Sequence, residues 1–251
     1  MNASLLLKIL TRMRNDRNLQ GMRRFGIRGK NMLGIPIPVL RKLAKKSGKS
    51  HALALSLWKS GIHEARILAA YVDEPKKVTS AQMDSWAAGF DSWDVCDQVC
   101  QNLFDRTTFA YQKALTWSFR KEEFVKRAGF ALMACLAWHD KRATNSAFDP
   151  FFKRIVAEST DDRNFVKKAV NWALRQIGKR NPILRRKAIF SAQVILSKNT
   201  QSPAARFVAK NALRELAPIA IGGRKVRRGW ETRGPQHPVE IASIAYEDKK
   251  P

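Results

Sequence analysis

The stretch FDSWDVCDQVC, Phe90 to Cys100, sets three carboxylates, Asp91, Asp94 and Asp97, around one tryptophan, Trp93. Read as a helix opening near Ser92, with Asp91 or Ser92 as its cap, it carries Val95, Cys96, Val99, Cys100 and Leu103 on one apolar arc. Trp93 falls at the edge of that arc. Asp97, one turn on, stands beside it, whereas Asp94 turns toward the polar side and reads as solvated. A carboxylate fixed against an aromatic face can stabilise positive charge that develops in a reaction. The same spacing also suits a core tryptophan with Asp97 paired to a neighbouring arginine.

A second stretch, KKAVNWALRQIGKR, puts an apolar arc of Phe165, Val166, Ala169, Val170, Ala173, Leu174 and Ile177 opposite a basic face. Trp172 lies on that basic face with Lys168, Arg175 and Lys179. Cations beside a π-face suit a partner that offers phosphates together with sugars or bases. A neighbouring helix that simply covers Trp172 is the other reading. Cys96, Cys100, Cys135 and His139 form two i,i+4 pairs that could in principle hold zinc. Cysteines on apolar helix faces are more often small core residues, however, and the loop spacing of zinc sites is absent, so no metal site is assigned. The glycine-rich GIRGKNMLG has neither the P-loop nor the dinucleotide spacing.

The elements that must position these residues are helical. Apolar residues recur at helical spacing from Leu5 to Leu216, and convincing alternation with period 2 is nearly absent, so the chain reads as all-α. Asn181-Pro182 and Ser202-Pro203 read as helix caps followed by proline at the first helical position. FVKRA at Phe124 returns as FVKKA at Phe165 and as FVAK at Phe207. A period of about 40 residues in paired helices predicts a HEAT-like solenoid, each pair burying its face against its neighbours and the row presenting a concave basic groove. Residues 1–218 are expected to form this domain. From 219 the sequence turns Gly-, Pro- and Arg-rich and predicts a flexible basic tail.

Charge narrows the partner. Against 21 acids the chain has 47 lysines and arginines, a formal net charge of +26 over 251 residues. Such an excess points to a polyanion, duplex DNA first, because binding releases the counterions condensed on its phosphates. No run approaches the ~20 apolar residues a membrane span needs, and MNASLLLKILTRMR reads as an amphipathic first helix. Three cysteines are too few for a disulfide framework. A cytoplasmic protein, nucleoid-associated when bound to DNA and working as a monomer, is expected.

Over about residues 10–217 the chain resembles the AlkD family of HEAT-like DNA alkylation repair glycosylases. The blocks GIPIPVLRKLAKK, HEARILAAYVDEPKKVT, DSWDVCDQVC, FVKRAGFALM and VKKAVNWALRQIGKRN carry the resemblance. It implies monofunctional excision of N3- and N7-alkylated purines from duplex DNA without cofactor or metal. By the same resemblance Trp93, Asp97 and Trp172 line the lesion cleft, Asp97 is the electrostatic catalyst, and Arg127 and Arg175 anchor phosphates. Lys168 and Lys179, from the basic face that carries Trp172, are expected to bind DNA with them. The competing reading is a non-catalytic HEAT-like protein that recognises the DNA backbone or a branched structure.

Overall fold

The computed structural model describes residues 1–217 and, beyond them, the strands Ala220–Ile221 and Arg224–Lys225, which pair antiparallel. Two units divide the chain, Met1–Leu216 and Ala217–Pro251. Apart from those strands, the tail expected from residue 219 lies outside the described residues.

The first unit is all-α. Its helices are α1 Ala3–Arg12, α2 Asp16–Arg24, α3 Ile37–Ser47, α4 His51–Lys59, α5 His63–Val72, α6 Ser80–Ala88 and α7 Trp93–Asn102. They continue with α8 Ala110–Ser118, α9 Glu123–His139, α10 Asp149–Ala157, α11 Asn164–Lys179, α12 Pro182–Lys198 and α13 Pro203–Leu216. Side-chain caps start several of them. Asn181 accepts the Leu184 amide at 3.0 Å before Pro182, and Ser202 accepts the Ala205 amide at 3.2 Å before Pro203, as the sequence predicts.

Two rows build the unit. The first runs α3, α5, α7, α9, α11, α13, each packed on the next; α8, α10 and α12 form a second row against it, and α4 backs α5. The repeated FVK segments open α9 and α11, where Val125 and Val166 are buried and the rings of Phe124 and Phe165 lie 5.5 Å apart. The echo therefore marks equivalent positions on neighbouring helices of one row. Gly178 permits the last close approach, since a Cβ there would collide with Leu216 of α13 and Ala188 of α12.

The glycine-rich GIRGKNMLG wraps a buried acid. Glu64, at the start of α5, accepts the amides of Leu33, Gly34 and Ile35 at 2.8, 2.6 and 3.3 Å. Gly34 turns at φ +77°, where a Cβ would strike the Asn15 carbonyl. Only glycine fits that corner.

Candidate functional site

The register of α7 is set by what it buries. Val95, Cys96, Val99 and Cys100 are fully enclosed, with the two thiols directed at the Phe124 and Ala128 carbonyls of α9. All three cysteines are free and buried, and His139, the fourth residue weighed as a zinc ligand, bonds Asp105 instead. They are core residues of the α7–α9 contact.

With that arc inward, Trp93 and Asp97 face Arg127 of α9. The guanidinium grips the carboxylate with two bonds, Nε to Oδ1 at 2.9 Å and Nη2 to Oδ2 at 2.7 Å. Its Nη1 donates to the Phe165 carbonyl of α11 at 2.6 Å, and its carbon lies 5.8 Å from the centre of the Trp93 ring. Trp93 donates its indole N–H to the Phe25 carbonyl at the end of α2, 3.1 Å away. Four segments distant in sequence thus meet around one ion pair. Burial pushes the Asp97 carboxyl above its ordinary value, and the Arg127 charge opposes that rise. The carboxylate is the more accessible partner, with 15% of its side chain exposed against 7% for Arg127.

Arg127 bonds Asp97 and the Phe165 carbonyl. The placement also decides the other two acids. Asp94 is not solvated: its carboxylate bonds His63 Nε2 at 2.8 Å and accepts the Ser92 hydroxyl at 2.5 Å. Of the two candidate caps, Ser92 holds the place, and Asp91 accepts the Lys30 amide at 3.0 Å and pairs with Arg66 at 3.5 Å.

The α11 residues form a second group. Trp172 is half-buried against the core, and Lys168 is exposed. Arg175 and Lys179 both bind Glu215 of α13, and Arg175 also donates to Asn171 at 3.2 Å. Burial tends to raise Glu215, yet the two cations outweigh it and hold its carboxyl below the ordinary range. Two cations on one acid leave a net positive charge.

Over residues 6–216 the sequence matches the family model described as DNA alkylation repair enzyme. The chain belongs to that family. A solved structure described as "A new family of proteins related to the HEAT-like repeat DNA glycosylases with affinity for branched DNA structures" superposes on this DNA alkylation repair family member with a TM-score of 0.68. Identity to it is 19%, covering 91% of this chain and 99% of that chain, so the likeness establishes the HEAT-like helical fold. No curated protein matches the chain in sequence.

Sequence reasoning missed several partners in this family member's site. The Phe165 carbonyl and the Phe25 carbonyl had no side-chain signal to find. Glu215 had one, as an acid among the basic residues of α13.

Proposed function

We propose that the protein is a monofunctional DNA glycosylase that removes positively charged N3- and N7-alkylated purines from duplex DNA. The observation that carries this reading is the Asp97 carboxylate, clamped by Arg127 beside Trp93 and the more open member of its pair. Water adds its oxygen to the sugar C1′ and gives up a proton to solvent. The N-glycosidic bond breaks, its electron pair stays with the purine and cancels the charge there, and an abasic site remains. The base leaves neutral, so no general acid is required.

What the reaction needs is an anion where the sugar becomes positive. Asp97 supplies it, and the two-bond grip of Arg127 fixes its position before the substrate arrives. Trp93 and Trp172 give cation-attracting faces. The net positive charge left by Arg175, Lys179 and Glu215, with exposed Lys168, attracts the phosphate backbone along the α3–α13 row.

The test is release of 7-methylguanine from methylated duplex DNA by wild type and Asp97→Asn, with duplex binding and melting temperature measured on both. The expected loss is about a hundredfold or more in rate with binding retained. Because burial raises Asp97, the acid limb of the wild-type rate should lie above the ordinary carboxyl value of 3.8. Full activity in Asp97→Asn would remove its assigned role. Wild-type release no greater than buffer would remove the enzyme.

A second reading, non-catalytic binding of branched DNA, is favoured by the description of the similar structure and by the internal pairing of Arg127. It predicts a preference for branched over linear duplexes, indifference to alkylation, and no effect of Asp97→Asn.

A further inference from the structure

The last turn of a helix leaves carbonyls without an intrahelical donor, and a group from elsewhere must meet them. Helix α2 runs out through Phe25 into a two-bond cap: the Gly26 amide donates to the Arg23 carbonyl at 3.0 Å, and the Ile27 amide to the Met22 carbonyl at 3.1 Å. Such a cap needs a left-handed residue at its centre, and Gly26 supplies it at φ +74°. Ile27, beyond it, is buried. The cap fixes the direction of the Phe25 carbonyl, which accepts the Trp93 indole N–H at 3.1 Å. The outer torsion of a tryptophan is broad, so a bond at the ring edge decides where the ring stands. The ring so held has its centre 5.8 Å from the Arg127 guanidinium carbon.

The same turn meets the other side of the ion pair. A Cβ on Gly26 would lie 3.4 Å from the Phe165 ring of α11, so even a methyl group there would fill the gap to that ring. The Phe165 carbonyl takes Arg127 Nη1 at 2.6 Å, and the Phe165 ring lies 5.5 Å from that of Phe124 on α9. Residues 25 and 26 thus border α7 at Trp93 and α11 at Phe165, and Arg127 of α9 is bonded to Asp97 of the first helix and to Phe165 of the second. Leu19 is the one buried side chain of α2, and the start of the helix is tied by the Asn15 amide to the Leu33 carbonyl at 2.8 Å and by Asn18 to the Gly34 carbonyl at 2.9 Å. Strain placed at the far end of α2 therefore falls on Trp93 and Phe165.

We propose that Gly26 is a positioning residue for the Asp97 site, its left-handed turn holding the Trp93 ring through the Phe25 carbonyl and leaving Phe165 the room to hold Arg127. It touches no substrate and acts through those two neighbours. Its effect on rate rests on the glycosylase reading above; its effect on Trp93 rests on the contacts of the turn alone.

The test compares Gly26→Val, Gly26→Ala and Gly26→Asn with wild type in the full chain. A β-branched residue is a genuine outlier at positive φ, alanine is strained less, and asparagine tolerates the left-handed region. The single-turnover rate of 7-methylguanine release from methylated duplex should fall about tenfold or more in Gly26→Val, with duplex affinity changed by less than about twofold, because misplaced groups slow the chemistry rather than the encounter. Gly26→Ala should fall between, and Gly26→Asn should restore the wild-type rate. In parallel, NMR should show hydrogen exchange at the Trp93 indole N–H several-fold faster in Gly26→Val, while the Trp117 indole N–H, bonded to Asp84 at 2.9 Å, keeps its wild-type exchange. If Gly26→Val does not fold, Gly26→Ala carries the same comparison. Unchanged exchange at Trp93 overturns the proposal, as does an equal rise at Trp117, which would mean general loosening. Wild-type rates in Gly26→Val, or a Gly26→Asn as slow as Gly26→Val, also overturn it and leave the glycosylase standing. Wild type without base release removes the glycosylase instead, and faster exchange confined to Trp93 would still support the hold of the turn on that ring.

Discussion

The α7–α9 and α11–α13 contacts solve the same problem in opposite ways. Each pairs an acid with an arginine between neighbouring helices. At α7–α9, Asp97 and Arg127 pair one to one, with side chains 15% and 7% exposed. At α11–α13, Glu215 is shared by Arg175 and Lys179, with exposures of 21%, 25% and 28%. The first pair is neutral and desolvated, so each charge depends on the other. The second keeps a surplus of positive charge in partial contact with water, where screening makes each pairing exchangeable. One arrangement fixes a carboxylate; the other leaves two cations sharing one acid at the edge of solvent.

Breaking the buried pair should have the largest effect. Arg127→Met leaves Asp97 buried without its partner and should destabilise the fold by about 3–5 kcal/mol in denaturant unfolding. Glu215→Gln should change stability by under about 1 kcal/mol. It should also tighten duplex binding and steepen its salt dependence, because Arg175 and Lys179 lose their internal anion. Equal stability losses in the two variants would erase the contrast between the contacts.

The smallest effect concerns the support of α7. His63 is buried, and burial works against its charge. Asp94, Glu64 and Asp91 outweigh that, so His63 sits above its ordinary 6.5 while Asp94 sits below 3.8. The His63 contribution is fully present below 6.5 and is lost as pH rises through the higher folded value. The Asp94 contribution is present above 3.8 and is lost as pH falls through its lower folded value. Thermal melts across these ranges should show wild-type stability declining at both ends, with the upper decline flattened in His63→Gln. An unchanged upper limb would place the charge elsewhere.

Much of the fold was legible because its signals are local. Apolar spacing gave the helices, Asn181-Pro182 and Ser202-Pro203 gave two starts, and the FVK echo gave the equivalence of α9 and α11. The apolar arc of α7 was also legible, and with it the placing of Trp93 and Asp97 on one side. The fates of the other two acids were not. On a wheel Asp94 looks solvated and Asp91 looks like a cap because a wheel shows one helix, while His63, Arg66 and Lys30 arrive from elsewhere in the chain.

From sequence alone came the helical rows, the basic surplus and the side of α7 on which Trp93 and Asp97 stand, since periodicity and composition are properties of short range or of the whole chain. Tertiary structure alone decided which charges are spent inside the protein. Arg175 and Lys179 read as cations on one helix face and Arg127 entered by resemblance alone; only packing of α7 on α9 and α11 on α13 assigns them Asp97 and Glu215. The physical reason is that a side chain's charge is written in its residue type, whereas its partner and its desolvation depend on helices that meet only after folding.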